Sequence, residues 1–295
     1  MSHLNQTENV KHQYSGDRNL AARINLHAKH STNKQGHFPW LSELYQFAKN
    51  DTILELGCGN GEQWKGRTQN LPVGSRLILS DFSEGMLSAA KENLAPSANL
   101  NFKKARNSVL NLHRVCAPKC KFKFAPEAHI SFQLIDIQNI PFESQSFNTI
   151  IANHMLYHIP DLDKALSEVR RVLKTGGKFY TATSSRSGLM QYMHNTMKKF
   201  DPDTSAFSHD IPFNMENGGE ILAKYFSCVK RHDYIDSLAI TNTQDLVGWM
   251  ESTISASGYN KENSGMLYNY FENIRVTEGT INIPKKSCLF VCTAE

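Results

Sequence analysis

The chain has 295 residues and is 40% hydrophobic, so it can bury a sizeable core, yet no stretch approaches the uninterrupted apolar length of a membrane span. Its net charge of +4 at pH 7 is too small for this length to argue a nucleic-acid or membrane partner by itself. The six cysteines, at 58, 116, 120, 228, 288 and 292, are scattered without framework spacing; they read as reduced thiols and argue against a secreted disulfide scaffold.

The N-terminal stretch MSHLNQTENVKHQYSGDRNL is polar, mixed in charge and free of a signal-peptide pattern. A cytoplasmic location is therefore the default expectation, with the first dozen residues loosely held. Tyr14, Arg18, Arg23, His27 and His30 precede the segment GHFPWLSELYQFAKN. Residues 39–49 of that segment carry apolar side chains at helical spacing. The pattern predicts a helix that lays Phe38, Trp40, Leu41, Leu44, Tyr45 and Phe47 on a sheet.

Residues 52–61, TILELGCGNG, run an apolar strand into a loop of alternating glycines. Gly57, Gly59 and Gly61 let the backbone turn sharply and approach a nucleotide-like ligand without Cβ clashes. The glycine spacing and the acid at Glu55 set this loop apart from the dinucleotide fingerprint. A diphosphate gains nothing from a nearby carboxylate, so the expected ligand is cationic or zwitterionic. Cys58, between two glycines, reads as a small packing residue. A second strand within LILSDFSEGML (77–87) ends at Asp81, 20 residues after Gly61, as a βαβ unit requires.

From 93 to 126 there is no acidic residue, while Lys103, Lys104, Arg106, Arg114, Lys119, Lys121 and Lys123 alternate with Phe102, Phe122 and Phe124. Such a segment suits a nucleic-acid backbone, an anionic surface or an acidic protein. It equally suits a solvated excursion whose phenylalanines tuck against the core. Cys116, Cys120 and His113 do not complete a tetrahedral site, so no metal is expected.

A third strand in ISFQLIDIQNIPF (131 onward) leads into Asp136 and Ile137. Residues 147–183 read as a buried strand ending at Asn153 and His154, a helix, a Gly-Gly stop and another strand. The HxxxH spacing puts His154 and His158 on one helical face, with Tyr157 beside them. Residues 184–227 are rich in Met190, Met193, Met197 and Met215, which suits an irregular apolar pocket or a plain helix-sheet contact. Phe226 to Leu238 and Thr280 to Cys292 read as a closing antiparallel pair.

Four motifs in this order resemble the class I S-adenosylmethionine-dependent methyltransferases, within them the methyltransferase type 11, ubiquinone-biosynthesis-like group. The resemblance implies a doubly wound, Rossmann-like α/β fold with a seven-stranded sheet in the order 3-2-1-4-5-7-6. It divides the chain into an N-terminal cover (1–37) and a methyltransferase domain (38–295), in which 93–126 is a basic insertion and 184–227 the substrate lid. By the same resemblance S-adenosylmethionine is the cofactor. Glu55 and the three glycines would hold its amino acid end, and Asp81 both ribose hydroxyls. Asp136 would hold the adenine amino group with Ile137 on the ring, and Phe82, Met86 and Asn153 would complete the lining. Tyr14 and Arg23 would close on the methionine carboxylate or the substrate, or pack mid-helix.

The implied function is methyl transfer to a small-molecule acceptor, achieved mainly by in-line positioning. His154, Tyr157 and His158 stand at the mouth where acceptor and cofactor meet, and a general base is needed only if the acceptor must lose a proton. Three alternatives stay open: methylation of RNA or protein docked on the basic insertion, a non-methyl use of the same cofactor, and a silent binding module. Against base methylation, Asn153-His154-Met155-Leu156 stands where an Asn-Pro-Pro-Tyr type motif would follow the fourth strand.

Overall fold

The computed structural model describes residues 18–95, 129–208, 211–253 and 264–295. Tyr14 and most of the basic segment, with Cys116 and Cys120, lie outside the described residues. Five parallel strands, β1 (Thr52–Leu56), β2 (Arg76–Asp81), β3 (His129–Leu134), β4 (Phe147–Ile151) and β5 (Leu173–Ser184), form most of one sheet. β7 (Ile281–Thr293) is inserted antiparallel between β5 and the edge strand β6 (Cys228–Ile240). The order, β3-β2-β1-β4-β5-β7-β6, is the expected one. β1 and β4 are buried on both faces, which is why they read as near-continuous apolar runs rather than alternating ones.

Two helices precede the sheet, α1 (Arg18–His30) and α2 (His37–Leu44); α3 (Glu84–Leu94) and α4 (Leu162–Val172) follow, with α5 (Leu189–Met197), α6 (Gly218–Leu222), α7 (Thr243–Ser252) and α8 (Ser264–Glu278) after β5. Leu54, Ile150 and Phe179 pack with Leu166 and Val169 of α4 in one core. Ile53, Leu79 and Tyr180 pack with Leu41 of α2 and Leu87 of α3 in another. A third core joins Leu26 of α1, Met193 of α5, Trp249 of α7 and Phe271 of α8 to Leu238 of β6 and Ile283 of β7.

The strand pairings explain where this third core sits. β5 pairs with β7 only as far as Ser184 opposite Ser287, whereas β6 and β7 stay paired to Ile240 opposite Ile281. The two-stranded ribbon therefore runs on for about 20 Å beyond the carboxyl end of β5. That is the end of a doubly wound sheet at which ligands bind, and α1, α5, α7 and α8 cover the ribbon there. Among the described residues no helix is long and apolar enough to cross a membrane.

The structure corrects several sequence expectations. The helix expected over 39–49 ends at Leu44, because Tyr45 is already extended, although Tyr45 and Phe47 still reach the core. The Gly-Gly pair does not stop a helix: α4 ends at Val172, and Gly176 and Gly177 lie inside β5 where its register against β4 shifts. The last two strands sit slightly further along than the ranges read from sequence. Helices α7 and α8 between them were not anticipated. The methionine-rich 184–227 carries α5 and α6, and its Met193 and Met197 are core residues shared with α1, α7 and α8.

Candidate active site

The glycine loop leaves β1 at the switch point of the sheet, between β4 and β2. Gly57 has φ +70°, and a Cβ there would stand 2.9 Å from Met155 Cβ, so β4's following residues seal one side of the loop. Gly59 has φ +55°, and its would-be Cβ lies 3.1 Å from Leu20 of α1. Only glycine combines that conformation with such close neighbours. Leu20 thus packs α1 against the loop.

Asp81 ends β2 beside this loop. Its Oδ2 accepts from the Gly59 N–H and its Oδ1 from the Ser83 N–H, both at 2.9 Å. Each oxygen keeps further lone pairs for another donor. Burial pushes the Asp81 carboxyl above the usual range, and these backbone N–H groups oppose the shift. Ser83 then caps α3 by accepting from Met86 N–H. Phe82, next after Asp81 in the chain, is 38% exposed, while Met86 in the first turn of α3 is fully buried.

Glu55 is 2% exposed in β1 and accepts from Trp64 Nε1. Burial, the main cause, and the nearby Asp81 push its carboxyl up to about 7, against the pull of the Trp64 hydrogen bond. Among the described residues Glu55 forms no ion pair. Two carboxyl groups at the ends of neighbouring strands, neither in an ion pair among the described residues, suit a positively charged ligand that also offers hydroxyls. S-adenosylmethionine, with its ammonium, sulfonium and ribose diol, fits these residues.

Asp136 accepts at Oδ1 from the N–H of Gln138 and from Gln138 Nε2, so part of its capacity goes to a local turn. Ile137 is 2% exposed and belongs to the core with Ile135 and Ile140, rather than facing the groove. Leu134, the register partner of Asp81, is 49% exposed and supplies apolar surface at this end that the sequence reading missed. Asn153 donates to the Tyr45 hydroxyl and accepts from Ala182 N–H, tying β4 to α2 and β5. Arg23 Nε donates to Asn19 O along α1.

The HxxxH pair is not on one helical face. His154 sits at φ +52°, a left-handed conformation uncommon outside glycine, and only Leu156–His158 form a short 3-10 turn. The Tyr157 and His158 rings meet edge-on at 4.6 Å within that turn. His154 meets His37 of α2 instead, with their Nε2 atoms 2.9 Å apart. The His37 ring also stacks on Trp40 and meets Tyr234 of β6 edge-on.

His27, two turns along α1 from Leu20, joins this group, and so does Lys285 of β7, whose Nζ donates to Asp236 of β6 at 2.7 Å. Burial and the charge of Lys285 hold His27 at about 3 and His154 at about 4, and burial together with His154 holds His37 well below the ordinary imidazole value. All three rings are neutral at pH 7. His37, Trp40, Tyr234 and Lys285 were not read as site residues, and nothing in the linear chain marks them. The projecting ribbon and α2 bring them to His154. Among the described residues no group of three or more His, Cys, Asp or Glu side chains is arranged to hold a metal ion.

The family described as "Methyltransferase domain" matches residues 111–181. The chain is 29% identical over 140 residues to the sterol 4-C-methyltransferase strm-1 of Caenorhabditis elegans, covering 47% of this chain and 33% of that protein. It is 28% identical over 141 residues to the demethylmenaquinone methyltransferase of Lactococcus lactis, covering 48% of this chain and 45% of that protein. The chain thus spans less than half the length of either relative. Among solved structures, the phosphoethanolamine N-methyltransferase 2 of Haemonchus contortus in complex with S-adenosyl-L-methionine superposes with a TM-score of 0.55 at 15% identity, over 100% of this chain and 60% of that one, a likeness of fold. In its domain match, its relatives and its strand order, the chain is similar to the class I S-adenosylmethionine-dependent methyltransferases.

Proposed function

We propose that this chain transfers the methyl group of S-adenosylmethionine to a small-molecule acceptor. One observation carries the reading: the glycine loop, roofed by Leu20 and walled by Met155, lies between Asp81 and the left-handed His154. In this reading Asp81 accepts from both ribose hydroxyls, Phe82 and Asp136 attend the adenine, and Glu55 with the glycine loop faces the cationic amino acid end. Arg23 lies on the covering helix, and Asn153 holds the end of β4 in place. Met86 and Ile137 back the site from the core. When bound, the cofactor supplies an electrophilic methyl group on a sulfur that is its own leaving group.

The protein's contribution is positioning and exclusion of water. Leu20 and α1 cover the loop, and His154 presents an imidazole where the acceptor enters, with Tyr157 and His158 in the next turn. The relatives named for sterol and demethylmenaquinone methylation support a small acceptor. The test is transfer of a radiolabelled methyl group into host-cell extract separated into small molecules, RNA and protein, with Gly57→Asp as the blank. Label in small molecules, absent with the blank, is the expected result. Label in RNA or protein, or none in any fraction, overturns the reading.

A further inference from the structure

The His154–His37 contact constrains what His154 can do. Two imidazoles sharing one hydrogen bond through Nε2 require one ring to donate and the other to accept. His37 Nδ1 is buried without a hydrogen-bond partner. Were His37 the acceptor, its own proton would sit on that Nδ1, leaving a buried N–H with nothing to receive it. Orphaned buried N–H groups are the rarer and costlier kind, whereas an unused acceptor lone pair is tolerated better. Lys285 on β7 adds positive charge beside the pair, which also favours a bare lone pair over a second cation. His37 therefore donates from Nε2 and His154 accepts at Nε2. The His154 proton lies on Nδ1, which is not among the buried unpartnered atoms and bonds to no side chain among the described residues.

We propose that His154 is a neutral hydrogen-bond donor to an oxygen of the acceptor, not a general base, and that His37 is the positioning residue that fixes this tautomer. The proposal rests on the methyl-transfer reading above and names its acceptor class: a molecule with an oxygen that is anionic when it reacts, such as a phenolate or enolate. The proton of such an acceptor leaves to solvent before transfer. The anion's electron pair then forms the new bond to the methyl carbon, directly from oxygen or through the conjugated carbon. The carbon–sulfur bond breaks with its pair going to sulfur, and anion and sulfonium become two neutral products without a base. The titratable groups around the two rings agree with this role. Lys285 from β7 acts on His154, Tyr234 from β6 meets His37, and Arg23 from α1 and Asp236 from β6 act on His27 beside them; Asp236, the carboxylate among them, is held by Lys285. A ring among them that gained a proton would have no counter-ion of its own, and the low basicity of His154 is in keeping with that.

The experiment combines two readouts on the full chain. Nitrogen-15 NMR of histidine side chains at pH 7, assigned with His154→Gln, should show His154 as a single Nδ1–H tautomer. His37→Phe should lose that single tautomer, and His37→Gln, whose amide still donates, should restore it. In labelled methyl transfer to host-cell extract, His154→Leu should lose about 10- to 100-fold, the effect of removing one donor to a charged oxygen. His154→Gln, which keeps a donor but cannot act as a base, should recover most of that loss. A wild-type His154 protonated at Nε2, or a His154→Gln variant as slow as His154→Leu, overturns the proposal. If the wild-type protein transfers no label, the methyl-transfer reading fails, and the tautomer spectrum still decides the role of His37.

Discussion

Replacing Gly57 by alanine asks the loop to hold a side chain in two ways it resists. At φ +70° an alanine pays about 1–2 kcal/mol for the left-handed conformation. Its Cβ would also stand 2.9 Å from Met155 Cβ, an atom that no rotamer change moves, and 3.0 Å from Cγ. Relieving such overpacking costs about 1–3 kcal/mol more. Gly66 is a matched control, since it has φ +67° with nothing within 4 Å of its would-be Cβ, so Gly66→Ala carries the conformational cost alone. Urea unfolding of both variants at unchanged m-value should place Gly57→Ala about 1–3 kcal/mol below Gly66→Ala. Because Met155 follows His154, the same substitution should also weaken cofactor binding, and Gly66→Ala should not. Equal destabilisation by the two alanines would refute the close seal of β4's end on the loop.

The acid side of the stability curve follows from the buried imidazoles. Their folded pKa values lie below the unfolded 6.5, so the unfolded chain binds more protons; stability is full above pH 6.5 and falls as pH drops toward 4, by up to ~3 kcal/mol for His154 alone. Denaturant titrations at pH 7.5 and 5 check this, and His27→Leu should flatten the slope. Glu55 works in the opposite sense, because its carboxyl is held near 7 in the fold, above the unfolded value, so its share of stability declines as pH rises from 4.5 through 7. Glu55→Gln should remove that decline in the same titrations. Lys285→Met leaves the fully buried Asp236 side chain without its cation and should cost about 3–5 kcal/mol, whereas the double variant with Asp236→Leu should recover much of it.

What could be read from the sequence was what is local along the chain. The glycine loop and Asp81 lie within one β1–loop–β2 unit, whose connection carries two 3-10 turns (Glu62–Trp64 and Thr68–Asn70) in place of the expected helix, and their residue types report directly on backbone conformation and on charge at a strand end. The strand order followed from the resemblance carried by those motifs. His154 was singled out for its place after the fourth strand, but its HxxxH spacing misled, because a residue at φ +52° cannot continue a helix with His158. Its true partner, His37, is 117 residues away in the chain, and contacts at that separation leave no local pattern. Likewise Tyr234 and Lys285 read as ordinary alternating strand positions. Only the pairing of β6 and β7 beyond the end of β5 carries them over the ligand side of the sheet. α7 is legible in the sequence, with Asn242 as its cap and Leu246, Val247 and Met250 on its inner face.

The central claim is that Asp81 and the glycine loop hold S-adenosylmethionine. Titration calorimetry of the wild-type chain and Asp81→Ala with S-adenosylhomocysteine, the stable product of the cofactor, tests it most directly. Saturable one-to-one binding by the wild-type chain is expected, weakened at least ~10-fold in a folded Asp81→Ala protein, since a charged acceptor of two hydroxyls is removed. No binding by the wild-type chain, or equal affinity in the two proteins, would contradict it.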